Sequence, residues 1–178
     1  KINVAANTEL QSLTIAYNVI EKLNLSNNSK LKSLNVSKTK LTKLDVSRMA
    51  SMRSLYCDSL RINRLEVSGL KWLQTLSAKA CDLEFLDFTA NYFTLRYLYL
   101  QGNTNFTPQS LNFMYSTTQD PDRTGYMYVA GCNGETANAE KYLMNNNSDS
   151  HWNIDVKGDG SCPMDDVVIT QQPTTGGT

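Results

Sequence analysis

A histidine acts as a general base only with partners at defined spacing. His151 is the one imidazole in the chain, and it stands beside Trp152 near a turn with no such partner in sequence. A structural or solvent-exposed role is expected for it. The four cysteines form no CxxC pair, so neither a zinc knuckle nor a redox motif is encoded. Cys57 and Cys81 read as small buried thiols. Cys132 and Cys162 are either a disulfide, if the chain is extracellular, or two free thiols. Asp155, Asp159, Gly160 and Asp166 match positions 1, 5, 6 and 12 of a calcium loop, but Lys157 puts a cation where position 3 needs an oxygen. Turn plus acidic linker is the better account. No nucleophile elbow, phosphate loop or dinucleotide fingerprint occurs. The expectation is no catalytic residue, no metal ligand set, no cofactor and no enzyme.

Composition narrows the class further. The 178 residues are 40% hydrophobic and 19% charged, enough to bury a core in one domain or one compact array. Seventeen basic residues balance seventeen acidic ones, so the electrostatic footprint of a nucleic-acid binder is missing. No apolar run approaches the roughly 18 residues of a membrane span. The chain opens at Lys1 rather than Met, which reads as a processed or trimmed start.

What could position a site is a repeat. The motif apolar-x-x-Leu-x-apolar starts at Leu10, Ile20, Leu31, Leu41, Met52, Ile62, Leu73, Leu83 and Leu95. The steps are 10, 11, 10, 11, 10, 11, 10 and 12 residues, a period of 21 with a half-repeat inside it. All 27 template positions are apolar. At this composition chance gives that on the order of 10⁻¹¹ for a fixed register. A half-repeat this short cannot hold a helix pair, which needs roughly 34 residues. Its Leu-x-apolar core alternates with period two, like a strand. Each 21-residue coil is therefore expected to contribute two short extended segments joined by tight corners, stacked as parallel ladders with leucines inward.

The spacing resembles the leucine-rich repeat, L-x-x-L-x-L-x-x-N/C-x-L. LQSLTIAYNVI, from Leu10 to Ile20, fits it at every position including Asn18, and LRYLYLQGN, from Leu95 to Asn103, fits again. The alternating halves, LTKLDVS from Leu41 and LEFLDFTAN from Leu83, resemble the nested 21-residue class of bacterial secreted and surface proteins, such as those of Bacteroidetes. The resemblance covers residues 10–106. It implies an α/β solenoid: a right-handed parallel-strand leucine-rich repeat with mostly extended and irregular coils. Thr39, Leu60 and Cys81 depart from the asparagine of the pattern, so packing or hydroxyls should hold those corners.

Residues 1–9 read as an N-terminal edge segment in which Ile2 to Val4 fold over the first coil. Beyond the repeats, residues 107–158 read as a βαβαβ-like C-terminal cap. Thr107 and Pro108 signal a helix start, with Leu111, Met114 and Tyr115 at i, i+3, i+4. Tyr126 to Ala130 alternates like a strand, 136–145 reads as a second helix, and Trp152 to Val156 as a further strand. Residues 159–178 end in QQPTTGGT and read as a linker or tail.

Residues at one template position stack in columns about 4.8 Å apart. On the first half-repeats the outward columns are Ser12, Ser33, Ser54, Thr75, Tyr97; then Thr14, Asn35, Tyr56, Ser77, Tyr99; then Ala16, Ser37, Asp58, Lys79, Gln101. Registering Met127 with Leu98 adds Tyr126 and Tyr128, which gathers five tyrosines rimmed by Ser77, Lys79 and Gln101. That patch is the candidate ligand-binding site, set against simple lateral packing of sheet neighbours. The second half-repeats show Lys22, Lys43, Arg64 and Phe85 in one column, Asn24, Asp45, Glu66 and Asp87 in the next and Ser26, Ser47, Ser68 and Thr89 in a third, which reads as a solvated, salt-bridge-laced face. The expected function is non-catalytic recognition of a protein partner by a monomer, as part of a secreted or cell-surface protein. The alternatives are a glycan-binding accessory surface and an architectural spacer. No nucleic acid and no membrane span is expected.

Overall fold

A computed structural model describes residues 2–117, 124–132 and 151–155. Among these described residues seven parallel strands lie side by side in sequence order: β1 (Ser12–Thr14), β2 (Ser33–Asn35), β3 (Ser54–Tyr56), β4 (Thr75–Ser77), β5 (Tyr97–Tyr99), β6 (Thr124–Tyr128) and β7 (His151–Asp155). Successive strands of a chain that coils the same way at every turn run parallel, and each pairs with its sequence neighbours. Leu13, Leu34, Leu55, Leu76, Leu98 and Met127 are in register across the ladder. The fold is a parallel-strand, leucine-rich-repeat-like solenoid.

The core is the leucine column and its neighbours. Leu34, Leu55, Leu76 and Leu98 are fully buried, and the second half-repeats add Leu41, Val46, Leu65, Val67, Leu86 and Phe88. The first coil is looser, with Leu10, Leu13, Ile20 and Leu23 only partly buried. Residues 2–9 trace the same corner as 23–30. Asn7 N–H donates to Val4 O and Leu10 N–H to Asn7 O, just as Asn28 does to Leu25 and Leu31 to Asn28.

Within residues 10–106 only the first half-repeats form strands, so the second half-repeats do not build the parallel ladder expected of them. Between the second halves the backbone contacts are sparse, such as Lys40 N–H to Ile20 O and Glu84 N–H to Asn63 O. Their corners are closed instead within each coil. Ser47 donates to Asp45 Oδ1 through N–H at 3.0 Å and through its hydroxyl at 2.7 Å, and Thr89 does the same to Asp87 at 2.9 and 2.7 Å. Ser68 N–H donates to Glu66 Oε1 and Ser26 N–H to Asn24 Oδ1. The expected salt-bridge lacing is thus corrected: these carboxylates cap turns two residues on, and the ion pairs among the described residues are Lys30–Glu9 and Lys79–Asp58. A local turn costs less chain entropy than pairing two long side chains across coils.

The other corners are held from inside. Asn103 donates to Ala78 O at 2.8 Å and Leu100 O at 2.7 Å, while its Oδ1 accepts from Cys81 N–H and Leu83 N–H. In the coils that lack asparagine, Thr39 donates its hydroxyl to Val36 O at 2.8 Å, Cys81 its thiol to Cys57 O at 3.0 Å, and Cys132 its thiol to Leu100 O at 3.3 Å. Leu60 brings no polar group to its corner and is buried there, while the backbone at Ser59 and Leu60 bonds the Cys81 side chain. One position earlier in most coils the chain turns left-handed, at Tyr17, Lys38, Ser59, Ala80, Gly102 and Gly131.

After β5 the second half-repeat gives way to helix α1 (Pro108–Thr117). Thr107 caps it reciprocally with Ser110: Thr107 N–H donates to Ser110 Oγ, and Ser110 N–H to Thr107 Oγ1. Leu111, Met114 and Tyr115 are buried at the expected spacing. The second helix expected over 136–145 lies outside the described residues.

Candidate functional site

The strand face carries four tyrosines in a plate. Alternation turns Leu98 and Leu100 inward, both buried, and leaves Tyr97 and Tyr99 outward. The same alternation buries Met127 and Val129 beneath Tyr126 and Tyr128. Parallel pairing then aligns Tyr97 with Tyr126 and Tyr99 with Tyr128. The rings lie nearly parallel, with centroids 5.5 Å apart for Tyr97–Tyr126 and 4.9 Å for Tyr99–Tyr128, and Tyr97 also stacks on Tyr99 at 6.5 Å. Tyr97 is 42% exposed and Tyr126 38%, so the plate presents ring faces and edges to solvent rather than closing into the core.

Tyr56, expected as the fifth member, stands apart. It pairs in register with Ser77, and Ser77 pairs with Tyr99, so the short serine side chain leaves a gap between two rings. Tyr56, Asp58, Thr75, Ser77, Lys79, Tyr97 and Tyr99 line a shallow depression of about 430 Å³ there. Ser77 is buried at its floor, and its hydroxyl donates to Asp58 Oδ1 at 2.6 Å. Lys79 N–H donates to the same oxygen at 2.9 Å. The Lys79 ammonium sits 3.7 Å from Asp58 Oδ2 and 5.9 Å from the Tyr99 ring centre. Gln101, expected on the rim, has its Oε1 buried without a hydrogen bond.

Two features escaped the reading by motif. One is a second asparagine column at the opposite corner. Asn28 donates to Val4 O and Asn7 O, and Asn91 to Val67 O and Leu70 O, both from fully enclosed positions. The signal was present, since Asn28 and Asn91 follow Leu25 and Phe88 at the offset by which Asn18 follows Ile15. The other is the contact between the two interior thiols. The Cys81 side chain bonded to Cys57 pushes the Cys57 thiol well up, with burial adding to it, while the Cys81 thiol is lowered by the same bond. Neither thiol reaches solvent.

Among the described residues no three His, Cys, Asp or Glu side chains cluster, and no helix is long and apolar enough to cross a membrane. Cys162, Asp159 and Asp166 lie outside the described residues, as do the side chains of His151 and Asp155.

Fold and site together define a leucine-rich-repeat-like solenoid that displays an aromatic plate on its strand face. No protein-family model and no curated protein matches the chain. Among solved structures it is similar to the functional domain of InlJ from Listeria monocytogenes, described as including a cysteine ladder. The identity is 27% and the TM-score 0.65, over 74% of this chain and 28% of that one. In this chain Cys81 and Cys132 stand at equivalent corners with Asn103 between them, and each donates to the coil before.

Proposed function

We propose that the chain is a non-catalytic recognition module of a secreted or cell-surface protein, binding a protein partner as a monomer through the strand face. In this reading residues 10–106 form the ladder, 107–158 close it and 159–178 are a linker or tail. The observation that carries it is the plate of Tyr97, Tyr99, Tyr126 and Tyr128. Tyrosine offers large contact area with few rotamers to freeze, which is why it concentrates at binding hot spots. A plate fixed on a rigid sheet loses less entropy on binding than one on loops. The likeness to a domain of InlJ supports a repeat module of this kind.

The test compares the chain with its Tyr97→Ser/Tyr126→Ser variant on arrays of cell-surface proteins and of glycans. Both positions are exposed, so the variant should melt within a few degrees of the parent. A protein bound by the parent and at least tenfold more weakly by the variant supports the reading. Undiminished binding by the folded variant removes the tyrosine face from it. Signal on glycans alone moves the function to the saccharide-binding alternative.

A further inference from the structure

The interval over Ser77 separates two rings of one column by two strand spacings. Tyr56 and Tyr99 occupy the same template column two strands apart, about 9.6 Å at the usual strand spacing. A ring seated midway would lie about 4.8 Å from each, inside the 4.5–7 Å range of favourable aromatic pairs. The neighbouring interval of the same column shows that such packing is built here, with Tyr99 and Tyr128 at 4.9 Å and 9°.

The rim chooses among flat groups. Asp58 Oδ1 already accepts two hydrogen bonds, from the Ser77 hydroxyl and the Lys79 N–H. Oδ2 has only the Lys79 ammonium, at 3.7 Å, too long for a hydrogen bond. That oxygen can accept from a hydroxyl at the mouth of the gap. Because Lys79 and Asp58 offset each other, a phosphate or a guanidinium meets one repulsive partner for every attractive one. A neutral ring with a hydroxyl donor meets none, and its stacking on Tyr99 requires it to displace the Lys79 ammonium that stands 5.9 Å over that ring.

We propose that this slot takes a tyrosine side chain of the partner protein, its ring between Tyr56 and Tyr99 and its phenol donating to Asp58 Oδ2. The proposal deepens the protein-recognition reading above and rests on it. It makes Tyr56 and Ser77 specificity-determining residues, and the four-ring plate the surrounding contact.

The experiment titrates the isotope-labelled full chain with N-acetyl-tyrosinamide by NMR. The expected result is a saturable shift of the Tyr56, Ser77 and Tyr99 amides, several-fold weaker with N-acetyl-phenylalaninamide. Ser77→Tyr should fill the slot with the chain's own ring and weaken the interaction at least tenfold. Tyr56→Ala removes one wall from a half-exposed position and should do the same, which keeps the test decisive if Ser77→Tyr folds poorly. No saturable shift overturns the proposal, and so does binding undiminished in both variants. A response to methyl glucopyranoside in place of the tyrosine amide overturns it in favour of a saccharide. If these outcomes fail while Tyr97→Ser/Tyr126→Ser still loses its protein partner, the slot is wrong and the wider face stands.

Discussion

Asn103 satisfies four backbone groups from one enclosed side chain, whereas Asn91 satisfies two and leaves its Oδ1 without a hydrogen bond. Removing the amide strands every group it served, so Asn103→Ala should cost about 2–4 kcal/mol and Asn91→Ala clearly less. Urea unfolding of the two variants checks the order, and equal losses would mean that the corners are held by packing alone. The acidic column makes a second residue-scale prediction. The Ser47 hydroxyl and N–H bonded to Asp45 hold its carboxyl below the usual range, and Ser68 acts likewise on Glu66. A depressed carboxylate stabilises the fold above its unfolded value and loses that contribution as pH falls through its folded value. Stability should therefore decline from about pH 4 downward, and Ser47→Ala with Ser68→Ala should flatten that acid limb. Both carboxylates are solvent-exposed, so the effect stays below about 1 kcal/mol each. At this scale the sequence showed the Asn18 and Asn103 corners directly. The caps were missed although the column Ser26, Ser47, Ser68 and Thr89 is plain in the spacing, because a column of acids beside a column of bases suggests ion pairing first.

The strands were legible because the inward leucines and outward tyrosines follow from period two alone. Which half of each coil pairs was not, since the same Leu-x-apolar core occurs in both halves. The twelve-residue step is absorbed off the ladder: Leu95 N–H reaches back four residues to Asn91, where Leu73 N–H reaches back three to Leu70. The extra residue thus leaves Leu76 and Leu98 in register. Leu76→Ala should cost about 2–5 kcal/mol through the cavity it opens, measured by denaturant unfolding. A loss below about 1 kcal/mol would contradict its place in the column. The left-handed corner is a strained element wherever a side chain occupies it, as at Lys38 and Ala80 with φ of 55° and 50°. Lys38→Gly or Ala80→Gly should raise stability by about 0.5–1 kcal/mol, the reverse of what glycine does in an ordinary strand. The Tyr56–Tyr99 gap could be read from the column once Ser77 was written between them. The tilt and spacing of the rings could not, because they depend on side-chain packing above the sheet.

At the level of the whole molecule each coil touches only its neighbours, so stability varies along the array. The first coil buries its apolar residues least, with Leu10, Leu13, Ile20 and Leu23 all partly open. Amides of Ile15 and Tyr17, which donate into the second coil, should exchange with solvent faster than those of Cys57 and Ala78. Hydrogen exchange resolves this directly, and uniform protection would indicate a single cooperative block.

The 21-residue register also makes the coil a splicing unit. Asn28 and Met49 occupy the same corner, each three residues before the next strand's leading apolar residue, Leu31 and Met52. Excising residues 29–49 would join Asn28 to Ala50 and bring Leu13 beside Leu55, with every remaining side chain keeping its inward or outward sense. The shortened chain should fold at a lower melting temperature with Tyr56, Ser77 and the tyrosine plate still in place. Excising ten residues instead, 29–38, would feed a second half-repeat into the ladder's first-half track, and that chain should fail to fold.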